Sequence, residues 1–170
     1  MPSGSYNTIK IKKYVDIYKE LVANATIIPG MLIERMSTNK VRAHATSQGN
    51  ASPIFAIEDE LQGNGIDDAY AANGVVKCGY FVSGEEVYAI LADGQNVGVG
   101  TLLASNGNGF LKAHVAEVES WDSDDGGKVT VYPLAVVARS LEAKDLSDSS
   151  GAETESTTVG FNKRIRVEIV

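Results

Sequence analysis

One cysteine, two histidines and a single tryptophan stand among 170 residues, and each scarcity excludes something. Cys78 alone cannot close an internal disulfide, so the fold must rest on its core, as expected for a protein assembled in a reducing cytoplasm. Its expected role is that of a small buried hydrophobe in a strand. His44 and His114 lie far apart, and neither has Cys or Glu at ligand spacing, so no zinc site is expected. Phosphate-binding P-loops, HExxH helices and Gly-x-Ser-x-Gly elbows are missing too. No apolar run has the length of a membrane-spanning helix, and residues 1–6 lack the basic and apolar regions of a signal peptide. The reading is therefore of a non-enzyme without cofactor, metal or membrane partner.

Four prolines against seventeen glycines indicate many tight turns, which favours a β-rich chain. Hydrophobic residues at 44% and charged residues at 22% are ordinary globular values. The net charge of −7 is unevenly spread. Lys10, Lys12, Lys13 and Lys19 crowd the N-terminal stretch with only Asp16 between them. Residues 57–125 carry thirteen acids against Lys77 and Lys112. An acidic body argues against nucleic-acid binding, whereas a basic N-terminal stretch suits an acidic protein surface.

Along the chain, Ile9, Ile11, Val15 and Ile17 share one parity, as in a strand. Ile11, Tyr14, Val15, Tyr18 and Val22 also satisfy helical spacing, so residues beyond Tyr14 fit either state. Strands are expected over 41–46, 54–57, 75–82, 86–91, 100–104, 110–118 and 129–138, the last interrupted by Tyr132-Pro133 at a bulge or edge. Pro29-Gly30, Asp93-Gly94 and Asn108-Gly109 mark turns. Asp67 to Ala72 reads as one helical turn opened by acids. Residues 120–128 read as an acidic hairpin, and 146–158 as a mobile Ser/Thr-rich loop. Residues 161–170 close the chain as a strand, Phe161, Ile165, Val167 and Ile169 facing one way and Arg164, Arg166 and Glu168 the other. The expected fold is mainly β: a small antiparallel β-barrel with few short helices. Its organisation is an N-terminal arm at 1–20, which also fits as part of the barrel, and a β-rich domain at 21–170.

Three patterns invite chemistry and do not carry it. Asp122 to Gly127 has the look of a calcium loop, but Pro133 stands where the bidentate Glu belongs. Glu58, Asp59, Glu60, Asp67 and Asp68 form the densest carboxylate group, yet glycosidase chemistry needs one desolvated acid, and these read as solvated. Asp93-Gly-Gln-Asn-Val-Gly-Val-Gly-Thr-Leu102 is similar to a half-repeat of biotinyl and lipoyl carriers. Those carriers place their lysine at a tight hairpin tip, and Lys112 does not sit at one.

Six phrases carry a wider resemblance: Asn7-Thr-Ile-Lys-Ile-Lys-Lys-Tyr14, Ile28-Pro-Gly-Met-Leu-Ile-Glu34, Phe55-Ala-Ile-Glu-Asp-Glu-Leu-Gln-Gly63, Glu86-Val-Tyr-Ala-Ile-Leu-Ala-Asp-Gly94, Val136-Val-Ala-Arg-Ser-Leu-Glu-Ala143 and Arg164-Ile-Arg-Val-Glu-Ile-Val170. Together they resemble the decoration, or cement, proteins of tailed-phage heads. The resemblance implies a protein that docks on the outside of an expanded head, bridges major capsid protein subunits and stabilises the capsid. It further implies a homo-oligomer, a trimer rather than a dimer, on the outer surface of the virion. On this reading Ile9, Lys10, Ile11, Lys12, Lys13 and Tyr14 are capsid-interface candidates. Ile9 to Lys13 would add to an exposed capsid sheet edge, or else form an edge strand of their own sheet. Trp121 fits either a core position or an interface anchor. The alternative reading is a carbohydrate-binding or ligand-carrier β-barrel, with Tyr80, Tyr88 or Trp121 as the glycan-facing aromatics.

Overall fold

The computed structural model describes residues 6–14, 16–115, 134–147 and 163–170. The described strands, in chain order, are β1 (Lys10–Lys12), β2 (Ile17–Ala23), β3 (Ile33–Arg35), β4 (Lys40–Ala43), β5 (Ile54–Ala56), β6 (Val75–Tyr80) and β7 (Glu86–Ile90). β8 (Asn96–Val97), β9 (Leu102–Ser105), β10 (Leu111–Ala113), β11 (Val136–Ser140), β12 (Lys144–Asp145) and β13 (Arg164–Ile169) follow. A 3-10 turn at Glu60–Gln62 is the described helical element. Trp121, the 120–128 hairpin, Tyr132-Pro133 and most of the 146–158 loop lie outside the described residues.

The strands form a six-stranded sheet in the order β1-β7-β13-β11-β9-β10, a five-stranded sheet β3-β4-β2-β6-β5 and the pair β12-β8. The six-stranded sheet is antiparallel throughout. The five-stranded sheet is mixed, because β2 and β4 run parallel, so a wholly antiparallel architecture is corrected here. β1 and β10 end the larger sheet without pairing with each other, and an isolated bridge joins Leu91 to Leu111. No closed barrel is among the strand pairings of the described residues.

Two cores lie on opposite faces of β5. Successive side chains of a strand point to opposite faces, so Ile54-Phe-Ala-Ile57 can be apolar at every position only if both faces are covered. Phe55 and Ile57 join Ile9, Leu32, Val87, Leu103, Ile165 and Val167 in one core. Ile54 and Ala56 join Ile27, Ile33, Val41, Val76, Cys78 and Phe110 in the other. The Pro29-Gly30 turn wedges between these layers: Gly30 has φ +94°, and a Cβ there would stand 3.1 Å from Tyr88 O. Only glycine tolerates both the conformation and the approach.

Two expectations are corrected by this packing. Asp67 to Ala72 forms no helical turn; Tyr70 instead bridges to Ile27, and its backbone N–H donates to Ile27 O at 2.8 Å. Cross-strand pairing satisfies those amides better than an isolated turn can. On β13, Ile165, Val167 and Ile169 are buried, and Arg164, on the alternate face with Arg166 and Glu168, is buried too. Glu58, read as solvated, is buried as well.

Candidate interaction surface

Two buried carboxylates fasten the N-terminal segment. Glu58 follows the β5 run, and its carboxylate accepts the Ile9 N–H at 3.1 Å through Oε2 and the Thr8 hydroxyl through Oε1. Glu85, fully buried, accepts the Tyr14 N–H at 2.6 Å and the Val82 N–H at 3.0 Å. Between these anchors β1 pairs with β7, Lys10 opposite Val87 and Lys12 opposite Glu86. Charge-assisted bonds to backbone amides are roughly twice as strong as neutral ones, so residues 8–14 are tied to the body at both ends.

This placement divides the interface candidates. Ile9 is at 0% exposure in the core, where its side chain cannot enter a partner's pocket. Ile11 packs against that core. Lys13 turns inward: Nζ donates to Tyr80 O at 2.6 Å, lies 3.6 Å from Glu85 Oε2 and sits 4.6 Å from the Phe81 ring centroid. Lys10 pairs with Asp16 at 3.8 Å. Lys12 reaches over the Tyr14 ring at 5.1 Å, and its ammonium pKa is raised, first by the hydrogen bond with Tyr14. Lys12 and Tyr14 are thus the exposed members of the set, with Tyr14 at 62% exposure beside the Gly84 turn. Within the N-terminal stretch, residues 8–14 lie against the body, and β1 is an edge strand of the larger sheet. Trp121 lies outside the described residues.

A larger surface adjoins them. β2 pairs with β6 over its full length up to Val22, from Ile17 opposite Tyr80 to Val22 opposite Val75. Its other side meets β4 only at Val22 and Ala23. Residues 17–21 therefore overhang β4, and among the described residues no strand pairs with them on that side. Ile17 is 49% exposed and Tyr18 47%, with Tyr14, Val22, Val75 and Val82 also open to solvent. Lys77 lies 5.0 Å over the Tyr18 ring, fixing it along the sheet. Residues 14–22 had satisfied two periodicities at once, and the β-branched and aromatic content of 17–23 was the signal for a strand.

Other candidates fare differently. Tyr88 is buried, edge-to-face with Tyr6 at 5.2 Å, and burial raises its phenol pKa. Tyr80 is half-buried and Lys112 lies within β10 rather than at a hairpin tip. His44 is buried, its Nδ1 2.9 Å from Ser105 Oγ and its Nε2 3.0 Å from Asn50 O. Ser105 is itself inaccessible, so the pair fastens a loop. An open cleft of about 460 Å³ is lined by Asn24, Thr26, Met31, Arg42, Asn108 and Phe110. Its one cation, Arg42, already donates through Nε to Glu34 at 2.7 Å. Among the described residues no three His, Cys, Asp or Glu side chains converge as a metal site. Arg164, missed by the sequence reading, clamps Asp67, Pro29 O and Ile66 O. No protein-family model and no curated protein matches the chain.

Proposed function

We propose that the chain is a capsid decoration protein, binding the outside of a tailed-phage head and stabilising the expanded shell by bridging major capsid protein subunits. What supports this reading is the open edge of β2, where Tyr14, Ile17 and Tyr18 stand exposed, Ile17 and Tyr18 on opposite faces of the sheet, on a doubly covered β body. Exposed aromatic and aliphatic side chains gathered at one edge mark protein contact. Lys12 and Lys19 beside them complement an acidic capsid patch. Rigidity matters for a cement, because a fastening that deforms transmits no resistance to internal pressure. The buried Glu58 and Glu85 anchors and the Arg164 clamp supply it here.

In this reading the six-stranded sheet curls into a small barrel, with the Leu91–Leu111 bridge and the Ala92 N–H donating to Leu111 O at 2.7 Å as its closing contact. The working form is a homotrimer, whose several weak contacts add through effective concentration. Co-sedimentation with undecorated, expanded heads of the encoding phage tests the proposal. Saturable binding that raises the temperature at which heads release DNA is expected. Absence of binding at micromolar protein would sink it.

A further inference from the structure

We infer that the open edge of β2 at residues 17–21 is a strand-docking site for an extended segment of another protein, one with an acidic residue opposite Lys19 and a basic residue opposite Glu20. The ladder itself defines the site. Residues along a strand alternate between bonding one neighbour and the other. Ala23 N–H donates to Gly74 O across the β6 side at 2.8 Å, so Lys19 and Leu21 share its direction. Tyr18 and Glu20 therefore turn their N–H and C=O groups away from β6, toward the side β4 leaves open. Two adjacent outward residues offer a docking strand up to four main-chain bonds, and β4 continues collinearly beyond Val22 to set where that strand must end.

The charges decide the occupant. A second copy pairing antiparallel across a two-fold axis must place residues of equal parity opposite each other. Three such registers overlap the edge by three residues or more. One sets Lys19 on Lys19, one sets Glu20 on Glu20, and one sets Asp16 on Glu20 twice. Like charges directly opposite destabilise a pair, so each of these three registers is penalised. The adjacent opposite charges that spoil self-pairing suit a different strand carrying the complementary order. Its remaining positions are apolar, facing Ile17 and Leu21 on one side of the sheet and Tyr18 and Val22 on the other. The partner is thus a protein segment, not a second β2. This inference rests on the decoration reading only in supplying what that segment belongs to, and its test needs no capsid.

The test uses the full chain and two synthetic peptides, acetyl-Thr-Val-Lys-Glu-Val-Ile-Thr-amide and its charge-reversed form acetyl-Thr-Val-Glu-Lys-Val-Ile-Thr-amide, followed by amide NMR and hydrogen exchange. Docked antiparallel, the first sets Lys opposite Glu20 and Glu opposite Lys19. It should shift the Tyr18 and Glu20 amides saturably and slow their exchange, and the reversed peptide should bind about fivefold more weakly or worse. The double variant Lys19→Glu with Glu20→Lys should invert that preference; the two-peptide comparison on the unaltered chain stands without it. The inference is overturned by equal binding of the two peptides, or by amides that stay unmoved at millimolar peptide. Amides already protected in the free monomer overturn it as well, because the edge would then be covered by this chain's own remaining residues. Self-association abolished by Glu20→Pro also overturns it, since the occupant would be a second copy. Failure of head binding, by contrast, would strike only the decoration reading.

Discussion

Arg164→Met should destabilise the protein by about 3 kcal/mol. Arg164 is 1% exposed in β13. Nη1 donates to Asp67 Oδ1 at 2.7 Å, and Nη2 donates to Pro29 O at 3.1 Å and to Ile66 O. Methionine fills similar volume, so the cavity contribution is small. What remains is two carbonyls and a carboxylate without their donor. Removing one partner of a buried pair costs about 3–5 kcal/mol, but the Asp67 side chain keeps 28% of its exposure and water can take over its share. The lower end of that range is therefore expected, close to two unsatisfied carbonyls at roughly 1–2 kcal/mol each. For a chain of this size about 3 kcal/mol lowers Tm by roughly 6–12 °C. Urea unfolding followed by circular dichroism would read it as a lower midpoint at unchanged slope. Arg164→Lys, able to serve fewer acceptors than the planar guanidinium, should fall between the two. A loss below about 1 kcal/mol for the methionine variant would refute the argument, showing that apolar packing replaces the clamp as it does in some buried ion pairs.

Two further outcomes follow from buried groups. Glu58→Ala leaves the Ile9 N–H without its acceptor beneath β1, so a loss of about 1–3 kcal/mol is expected, with faster exchange confined to amides of residues 8–12; global exchange acceleration alone would mean the latch is no local device. Burial raises the Cys78 thiol from 9.0 to about 12 and the Tyr70 phenol from 10.0 to about 12. Both folded values lie above the unfolded ones, so the folded state holds more protons at alkaline pH. Stability is thus full below about pH 9 and falls as pH rises toward 12. The urea midpoint should drop across that window, and Cys78→Ala should flatten its onset near pH 9 relative to the parent; an unchanged onset would contradict the assignment.

Strand content was legible because it rests on local rules. The β-branched runs at 54–57, 75–82 and 86–91 sit between glycine turns, and β5, β6 and β7 fall within them. The continuous apolar run from Ile54 to Ile57 also announced a strand covered on both faces. Sheet order was not legible, since nothing in Val22 or Lys40 announces a parallel pairing of β2 with β4. Nor were the anchors. Glu58 and Arg164 carry the side chains that belong outside by composition, and only partners distant in sequence, Ile9 N–H and Asp67, reverse that preference. The N-terminal lysines illustrate the same limit within five residues. Lys12 and Lys13 are indistinguishable by type, yet one reaches over Tyr14 and the other is spent on Tyr80 O and Glu85.

The two edges near the N-terminus also explain why binding falls on β2. An edge strand must be kept from indiscriminate pairing, and proteins do so by charge, shortness or cover. β1 is short, carries Lys10 and Lys12, and is closed at both ends by Glu58 and Glu85, so all of these devices act on it. β2 is the longest described strand, and five of its residues overhang β4. Among the described residues its protection is the Lys19-Glu20 order, which penalises the self-pairing registers of longest overlap and no strand of complementary order. An edge left open in that selective way is suited to a strand of complementary order and guarded against a second β2.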